Sequence, residues 1–196
     1  TASASNLYSG VSMADLKGFT EKNGLNSRLV KTNGRLVEEV YKVGGPYGKE
    51  VARTVTHLEA AIPFASESTA AALTALIQWY RTGDDGDRAK YDIAWVKDTA
   101  SPVDTINGFI EVYLDARGVK GGWEGLVFYV NREKTERIRK FADNAQWFED
   151  HMPYDAKFRK PMVKGIVANA IDVVIETGDS GPVTPIGINL PNDQAI

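Results

Sequence analysis

From Tyr47 to Ile62 the apolar residues Val51, Val55, Leu58 and Ile62 recur three and four positions apart, which places them on one face of a helix that Pro63 ends. Two further helices follow in the pattern. One is capped by Ser68, runs rich in alanine and leucine through Tyr80 and closes at Gly83; the next spans about Asp87 to Lys97, with Asp87 as its cap and Tyr91, Ala94 and Trp95 on one side. These three predict a packed helical layer. Earlier in the chain, Ser12 and Asp15 read as a capping pair for a short helix from Met13 to Lys22, stopped by Gly24. Later, Glu133 to His151 reads as one long amphipathic helix with Ile138, Phe141, Ala142, Ala145 and Phe148 as its apolar face.

The remaining apolar runs alternate or are β-branched. Ser27 to Lys31 and Arg35 to Val43 flank Asn33-Gly34, the dipeptide best suited to a tight hairpin turn. Val103 to Leu114 and Trp123 to Val130 read as strands joined by the glycine-rich turn from Arg117 to Gly122, and Met162 to Thr177 as a third with a bulge at Gly165. These three strands are expected to share one curved, mostly antiparallel sheet, giving an α+β fold. Near the end of the chain, Pro185-Ile186-Gly187-Ile188-Asn189-Leu190-Pro191-Asn192 has two prolines bracketing an alternating run, the mark of an exposed edge strand that could accept another extended chain. Its two carboxamides both donate and accept, which suits a peptide backbone of any sequence.

Composition excludes more than it identifies. The 196 residues suffice for one domain with a core, and 43% hydrophobic with 25% charged residues is ordinary for a globular chain. A formal charge of −3 offers no basis for binding nucleic acid or an anionic membrane, and no apolar run approaches the roughly 20 residues of a membrane span. With no cysteine there are neither disulfides nor thiolate metal sites, which is compatible with a reducing compartment; the expected location is the cytoplasm. The first residues, Thr1 to Asn6, contain neither an initiating methionine nor an apolar signal core and read as a cut or processed start.

Three motifs have simpler readings. Gly178-Asp179-Ser180-Gly181-Pro182 looks like the nucleophile loop of a serine protease, but His57 lies inside a predicted helix, so the cluster is read as turn chemistry. Asp84-Asp85-Gly86-Asp87 could suggest calcium, yet the twelfth position from Asp84 is Trp95, where a calcium loop needs glutamate; it is read as a polar helix entry. His57 and His151 are the only histidines, and neither is followed by glutamate, so they do not form a helical zinc pair.

Two blocks carry a resemblance. Val103-Asp104-Thr105-Ile106-Asn107-Gly108-Phe109-Ile110-Glu111-Val112-Tyr113-Leu114-Asp115 with Gly118 to Gly125, and the Gly187-Ile188-Asn189-Leu190-Pro191-Asn192 stretch, resemble the two blocks that precede the zinc motif in the dipeptidyl peptidase III family of metallopeptidases. Tyr8 to Ser12, Gly24 to Ser27, Val40 to Gly45 and Ala145 to Asp150 are similar in kind and order to bacterial members. The resemblance implies a two-lobed enzyme, a β-barrel-containing lobe facing a helical lobe across a cleft, that releases dipeptides from the N-termini of short peptides. The family's zinc helix, H-E-x-x-G-H, is expected beyond Ile196. The chain therefore reads as residues 1–196 of a single incomplete domain, mainly the lower lobe, with the 132–152 helix extending to the other lobe. Alone it is expected to be inactive and to bind no zinc. Its expected partners are short peptides and the rest of the same polypeptide.

The resemblance also implies site residues. Asp104, Asn189 and Asn192 would line the peptide cleft together with Gly187 and Ile188, because an exopeptidase that counts from a free N-terminus needs acceptors for an ammonium group. Glu111, Asp115 and Glu124 are expected to brace the strands and the glycine turn. The sequence departs from the better-known eukaryotic members at Asp104, where they have glutamate, at Ile106, where they have an aromatic residue, and at Ala116, where they have proline. The alternative reading is a non-catalytic peptide-binding module that works by strand addition.

Overall fold

A computed structural model describes residues 3–165, 168–181, 186–193 and 196. Among these residues seven strands and five α-helices follow in the order β1 (Ser3–Ala4), β2 (Tyr8–Val11), β3 (Ser27–Thr32), β4 (Arg35–Val40), α1 (Gly48–Ala61), α2 (Glu67–Thr82), α3 (Asp85–Lys97), β5 (Val103–Phe109), β6 (Trp123–Val130), α4 (Arg132–Asp143), α5 (Ala145–His151) and β7 (Ile171–Gly178). The class is α+β. The strands form two sheets, one in the order β1-β2-β3-β4 and one in the order β5-β6-β7. In the first, β2 pairs parallel with β3, while β1/β2 and β3/β4 are antiparallel.

The Asn33-Gly34 turn forms as expected. Both residues have positive φ, 51° and 76°, the combination that twists a two-residue hairpin to match its strands, and Ser27 to Thr32 pair in register with Val40 back to Arg35. The three runs assigned to one sheet do share it, but the sheet has three strands and is not curled into a barrel. Its strands are shorter than the sequence suggested: β5 stops at Phe109 and β7 begins only at Ile171, with Gly165 in a left-handed conformation before it.

Four helical expectations need correction. Ser12 and Asp15 do bond reciprocally, the Ser12 N–H and hydroxyl both donating to Asp15, but successive turns replace the Met13 to Lys22 helix. Gly18 sits at φ 80°, outside helical space. The cap of α2 is Ser66, whose hydroxyl accepts from the Thr69 N–H at 3.2 Å, while Ser68 donates to Asp98; the cap of α3 is Asp84, which accepts from the N–H groups of Gly86 and Asp87. The long Glu133 to His151 helix is broken at Asn144, whose φ of −105° and ψ of 16° separate α4 from α5.

The chain divides into two compact units. The first comprises Thr1–Ser101, Ile106–Leu126 and Glu176–Ile196; the second comprises Pro102–Thr105 and Val127–Ile175. The core of the first is built from Tyr41, Val51, Val55, Leu76, Ile77, Trp79, Tyr80, Tyr91 and Phe109. Phe109 stacks on Tyr41 at 4.9 Å and meets Trp123 edge-on at 5.3 Å. Gly108 makes this possible: at φ 149° it lies so close to Trp79 that a Cβ would come within 2.8 Å of the indole. Beside this core Lys120 is fully buried, its ammonium 2.6 Å from both Glu21 and the Ser27 hydroxyl and 3.8 Å from Glu38, a set of partners that offsets the cost of burying charge.

In the second unit α4 starts at Asn131, whose side chain accepts from the Lys134 N–H and donates to Asp172 at 2.7 Å. Lys134 also pairs with Asp172 at 2.7 Å. Neither α4 nor α5 buries a residue.

Candidate peptide site

The alternation of β5 and β6 within the first unit sorts their side chains between two faces. Asn107 and Phe109 turn toward the aromatic core, where the Asn107 carboxamide accepts from the Tyr80 hydroxyl, and Trp123 packs on the same side. Ile106, Glu124 and Leu126 line the opposite face, a pocket of about 520 Å3. The rest of its wall comes from Glu111 and Tyr113 in the loop after β5, Asp179 and Ser180 in the turn after β7, and Gly187, Ile188, Asn189 and Asn192.

Backbone bonds fix the two loops that carry the carboxyl groups. Ile110 N–H donates to Gly122 and Gly122 N–H returns to Glu111 at 2.7 Å, so Glu111 is anchored beside the start of β6. Asp179 N–H donates to the Trp123 carbonyl at 2.7 Å. Gly178 permits that approach, since at φ 73° a Cβ there would lie 2.2 Å from the same carbonyl. The Asp179 side chain lies against Gly122, where an added Cβ would meet its Oδ2 at 3.1 Å.

Glu124 stands out among these groups. It is 9% exposed, lines the pocket, and among the described residues has neither a hydrogen bond nor an ion pair. Burial, followed by the negative charges of Glu111 and Asp179, pushes its carboxyl up to about 7, against a smaller opposing pull from Arg88. Arg88 is committed elsewhere: its Nε donates to both oxygens of Asp92 and its Nη1 to the Phe109 carbonyl at 3.2 Å. Among the described residues the pocket lining contains three carboxyl groups and no basic side chain.

The expected site residues divide three ways. Gly187, Ile188, Asn189 and Asn192 share the pocket with Glu111 and Glu124, and the Asn192 carboxamide donates to Glu111 at 3.4 Å. Asp115 sits in the glycine turn, where burial raises its carboxyl but N–H donors from Lys120, Val119 and Arg117 and the Tyr8 hydroxyl outweigh that and hold it below the usual range. Asp104 belongs to the second unit and accepts from the Thr105 N–H at 2.7 Å. The edge strand expected from Pro185 to Asn192 is not one in residues 186–193, which form no strand; Pro185 lies outside the described residues. The proline at 191 lacks a ladder donor, and among the described residues Gly187, Ile188 and Asn189 hold no hydrogen bond.

Asp179, Tyr113 and Ser180 were not anticipated in the site. The Gly178 to Gly181 cluster is a turn, as the Ser180 hydroxyl donating to Thr177 at 3.0 Å confirms, but it also delivers Asp179 to the pocket. Zinc finds no fit here. His57 is an exposed residue of α1, His151 ends α5 against the Trp147 carbonyl at 2.7 Å, and among the described residues no three potential ligands cluster. No helix among those residues is long and apolar enough to cross a membrane.

A profile of peptidase family M49 matches residues 7–196. Dipeptidyl peptidase 3 of Dictyostelium discoideum is 33% identical over 167 residues, covering 84% of this chain and 23% of that protein. The enzyme of the same name from Nematostella vectensis is 30% identical over 182 residues, covering 90% of this chain and 24% of its own length. The chain thus spans about a quarter of these relatives. The solved structure of dipeptidyl-peptidase III from Corallococcus sp. strain EGB superposes with a TM-score of 0.75 at 22% identity, covering 97% of this chain and 37% of that one.

Proposed function

The chain belongs to peptidase family M49, the dipeptidyl peptidase III family, and from that premise we propose that it is the substrate-binding portion of a zinc-dependent exopeptidase that releases dipeptides from peptide N-termini. It corresponds on this reading to the lower lobe, with residues 132–152 reaching toward the other lobe. Zinc chemistry belongs to other parts of the complete polypeptide. This chain's part is to bind and orient a short peptide.

The observation that carries the reading is the pocket that gathers Asn189, Asn192, Gly187 and Ile188 with three carboxyl groups. An extended peptide presents N–H and C=O groups at its backbone and an ammonium group at its end. The unpaired backbone of Gly187 to Asn189 and the two carboxamides can meet the former, and the carboxyl groups the latter. Holding the substrate in one register is itself catalytic, because it turns a bimolecular encounter into a positioned one. The part of Asp104 in selecting a free N-terminus rests on the resemblance.

In the complete enzyme Asn189→Ala and Asn192→Ala are each expected to lower kcat/KM on a free-amine peptide by roughly tenfold to a hundredfold, the effect of leaving a substrate polar group unpaired, without changing zinc content. Asp104→Asn is expected to narrow the preference for free over acetylated N-termini. Kinetics on both peptides, with metal analysis of each variant, check this. Wild-type kinetics in all three variants would remove the peptide site from this pocket. Peptide binding without turnover in the complete polypeptide would favour the non-catalytic module.

A further inference from the structure

We propose that Glu124 recognises a positively charged group of the ligand, an alkylammonium, and exchanges its own proton as that group arrives, so that occupancy of the pocket is coupled to pH. This rests on the peptide-site reading and adds to it a named residue and a mode of regulation. The carrying observation is geometric: a glutamate that is nine-tenths buried as a residue, lines a pocket, and among the described residues has no hydrogen-bond or ion-pair partner. A buried polar group is ordinarily paired within its own chain. Glu124 has its partner position open toward the pocket instead.

The surroundings select the sign of that partner. Glu111 from the loop after β5 and Asp179 from the turn after β7 face Glu124, and Arg88 of α3, a cation that acts on it more weakly, is bound to Asp92 and Phe109. An anion in this pocket would meet three carboxyl groups. A neutral group would leave them uncompensated. A cation meets all three, and its charge reverses the balance that keeps the Glu124 proton in place. The proton balance is simple: the ligand enters charged, Glu124 loses its proton to solvent, and an ion pair remains. Below the range where Glu124 titrates, binding costs the removal of a full proton; above it, the carboxylate is already formed and binding no longer depends on pH until the ammonium itself deprotonates at about 8.

Calorimetric titration of the protein with trialanine, N-acetyl-trialanine and N-acetyl-lysyl-dialanine, all as C-terminal amides so that the free-amine and lysyl peptides are cations and the acetylated trialanine is neutral, each in two buffers of different ionisation enthalpy, tests the proposal. At pH 7 the cationic peptides are expected to release about half a proton on binding, the acetylated neutral one none, since Glu124 titrates near 7. Trialanine alone releasing protons identifies the peptide terminus as the cation; the lysyl peptide alone identifies a basic side chain. Glu124→Gln is expected to abolish the release and weaken cationic binding roughly tenfold. Should that variant fold poorly, 13C spectra of labelled wild-type protein are expected to show the Glu124 carboxyl titrating at lower pH once trialanine is bound. Equal proton release by wild type and Glu124→Gln, or an unmoved Glu124 titration, overturns this inference and leaves the peptide site standing. Failure of all three peptides to bind overturns both.

Discussion

In the first unit Trp79, Tyr80 and Leu76 are almost wholly enclosed, whereas in the second Phe141, Trp147 and Phe148 stand on α4 and α5 at 64%, 56% and 42% exposure. Both sets follow helical spacing. The difference lies in what the helices meet: α2 is packed by α1, α3 and the aromatic face of β5 and β6, while α4 is held through Asn131, Lys134 and Asp172 and α5 through Gln146 and Glu149, which accept from the N–H groups of Val163 and Lys160. Half-exposed ion pairs contribute little to stability, commonly less than about 1 kcal/mol. An amphipathic pattern therefore creates an apolar face without determining whether anything covers it. The pocket is in the unit with the enclosed core, so its walls inherit a rigid support.

That comparison predicts its largest effect at Trp79. Trp79→Ala removes the ring that packs on Tyr80, Phe109 and the Arg88 guanidinium, and is expected to destabilise the protein by about 3 to 5 kcal/mol in chemical denaturation. Against a typical total of about 5 to 15 kcal/mol, such a loss would disorder the pocket as well. A cost under about 1 kcal/mol would mean that the first unit's core is not what supports it.

The next effect depends on pH. The Glu124 carboxyl is raised from 4.5 to about 7 in the folded state, so between these values the native protein holds a proton that the unfolded chain has lost. Its contribution is fully present below about 4.5 and is lost as pH rises through 7. Glu124→Gln should therefore stabilise the protein by about 1 to 3 kcal/mol at pH 8 and have little effect at pH 5. Parallel denaturation of both proteins at the two pH values measures this. A stability difference that does not change with pH would place Glu124 in solvent rather than against the core sheet.

Local rules made much of this structure legible. The three- and four-residue spacing located α1, α2 and α3, and Asn33-Gly34 located a hairpin, because each signal acts within a few residues. Ser66 displaced Ser68 as a cap because Ser68 is drawn to Asp98, 30 residues away, a contact no local pattern reports. Met13 to Lys22 forms turns instead of a helix, with Gly18 in a left-handed conformation that no helix accommodates. In the site, Glu111 and Glu124 read from sequence as braces, and Asp179 lies inside a turn motif. The period-two alternation that sends Trp123 to the core already sends Glu124 to the opposite face, so that part could have been found. The convergence of three carboxyl groups could not, since it depends on loops anchored by Gly122 and Trp123.

The smallest effect is expected at Phe148. Its ring meets Trp147 edge-on at 5.2 Å and Phe141 at 6.1 Å, contacts of about 0.5 to 1.5 kcal/mol in a buried setting and less at this exposure. Alanine is also the better helix former, by a few tenths of a kcal/mol, and recovers part of the loss. Phe148→Ala should therefore change stability by less than about 1 kcal/mol, against the several lost at Trp79. Denaturation of the two variants under one set of conditions gives the ratio directly. A loss above about 3 kcal/mol at Phe148 would mean that the aromatic face of α5 is enclosed in solution, and the contrast between the two units would then reflect a missing cover rather than a difference in packing.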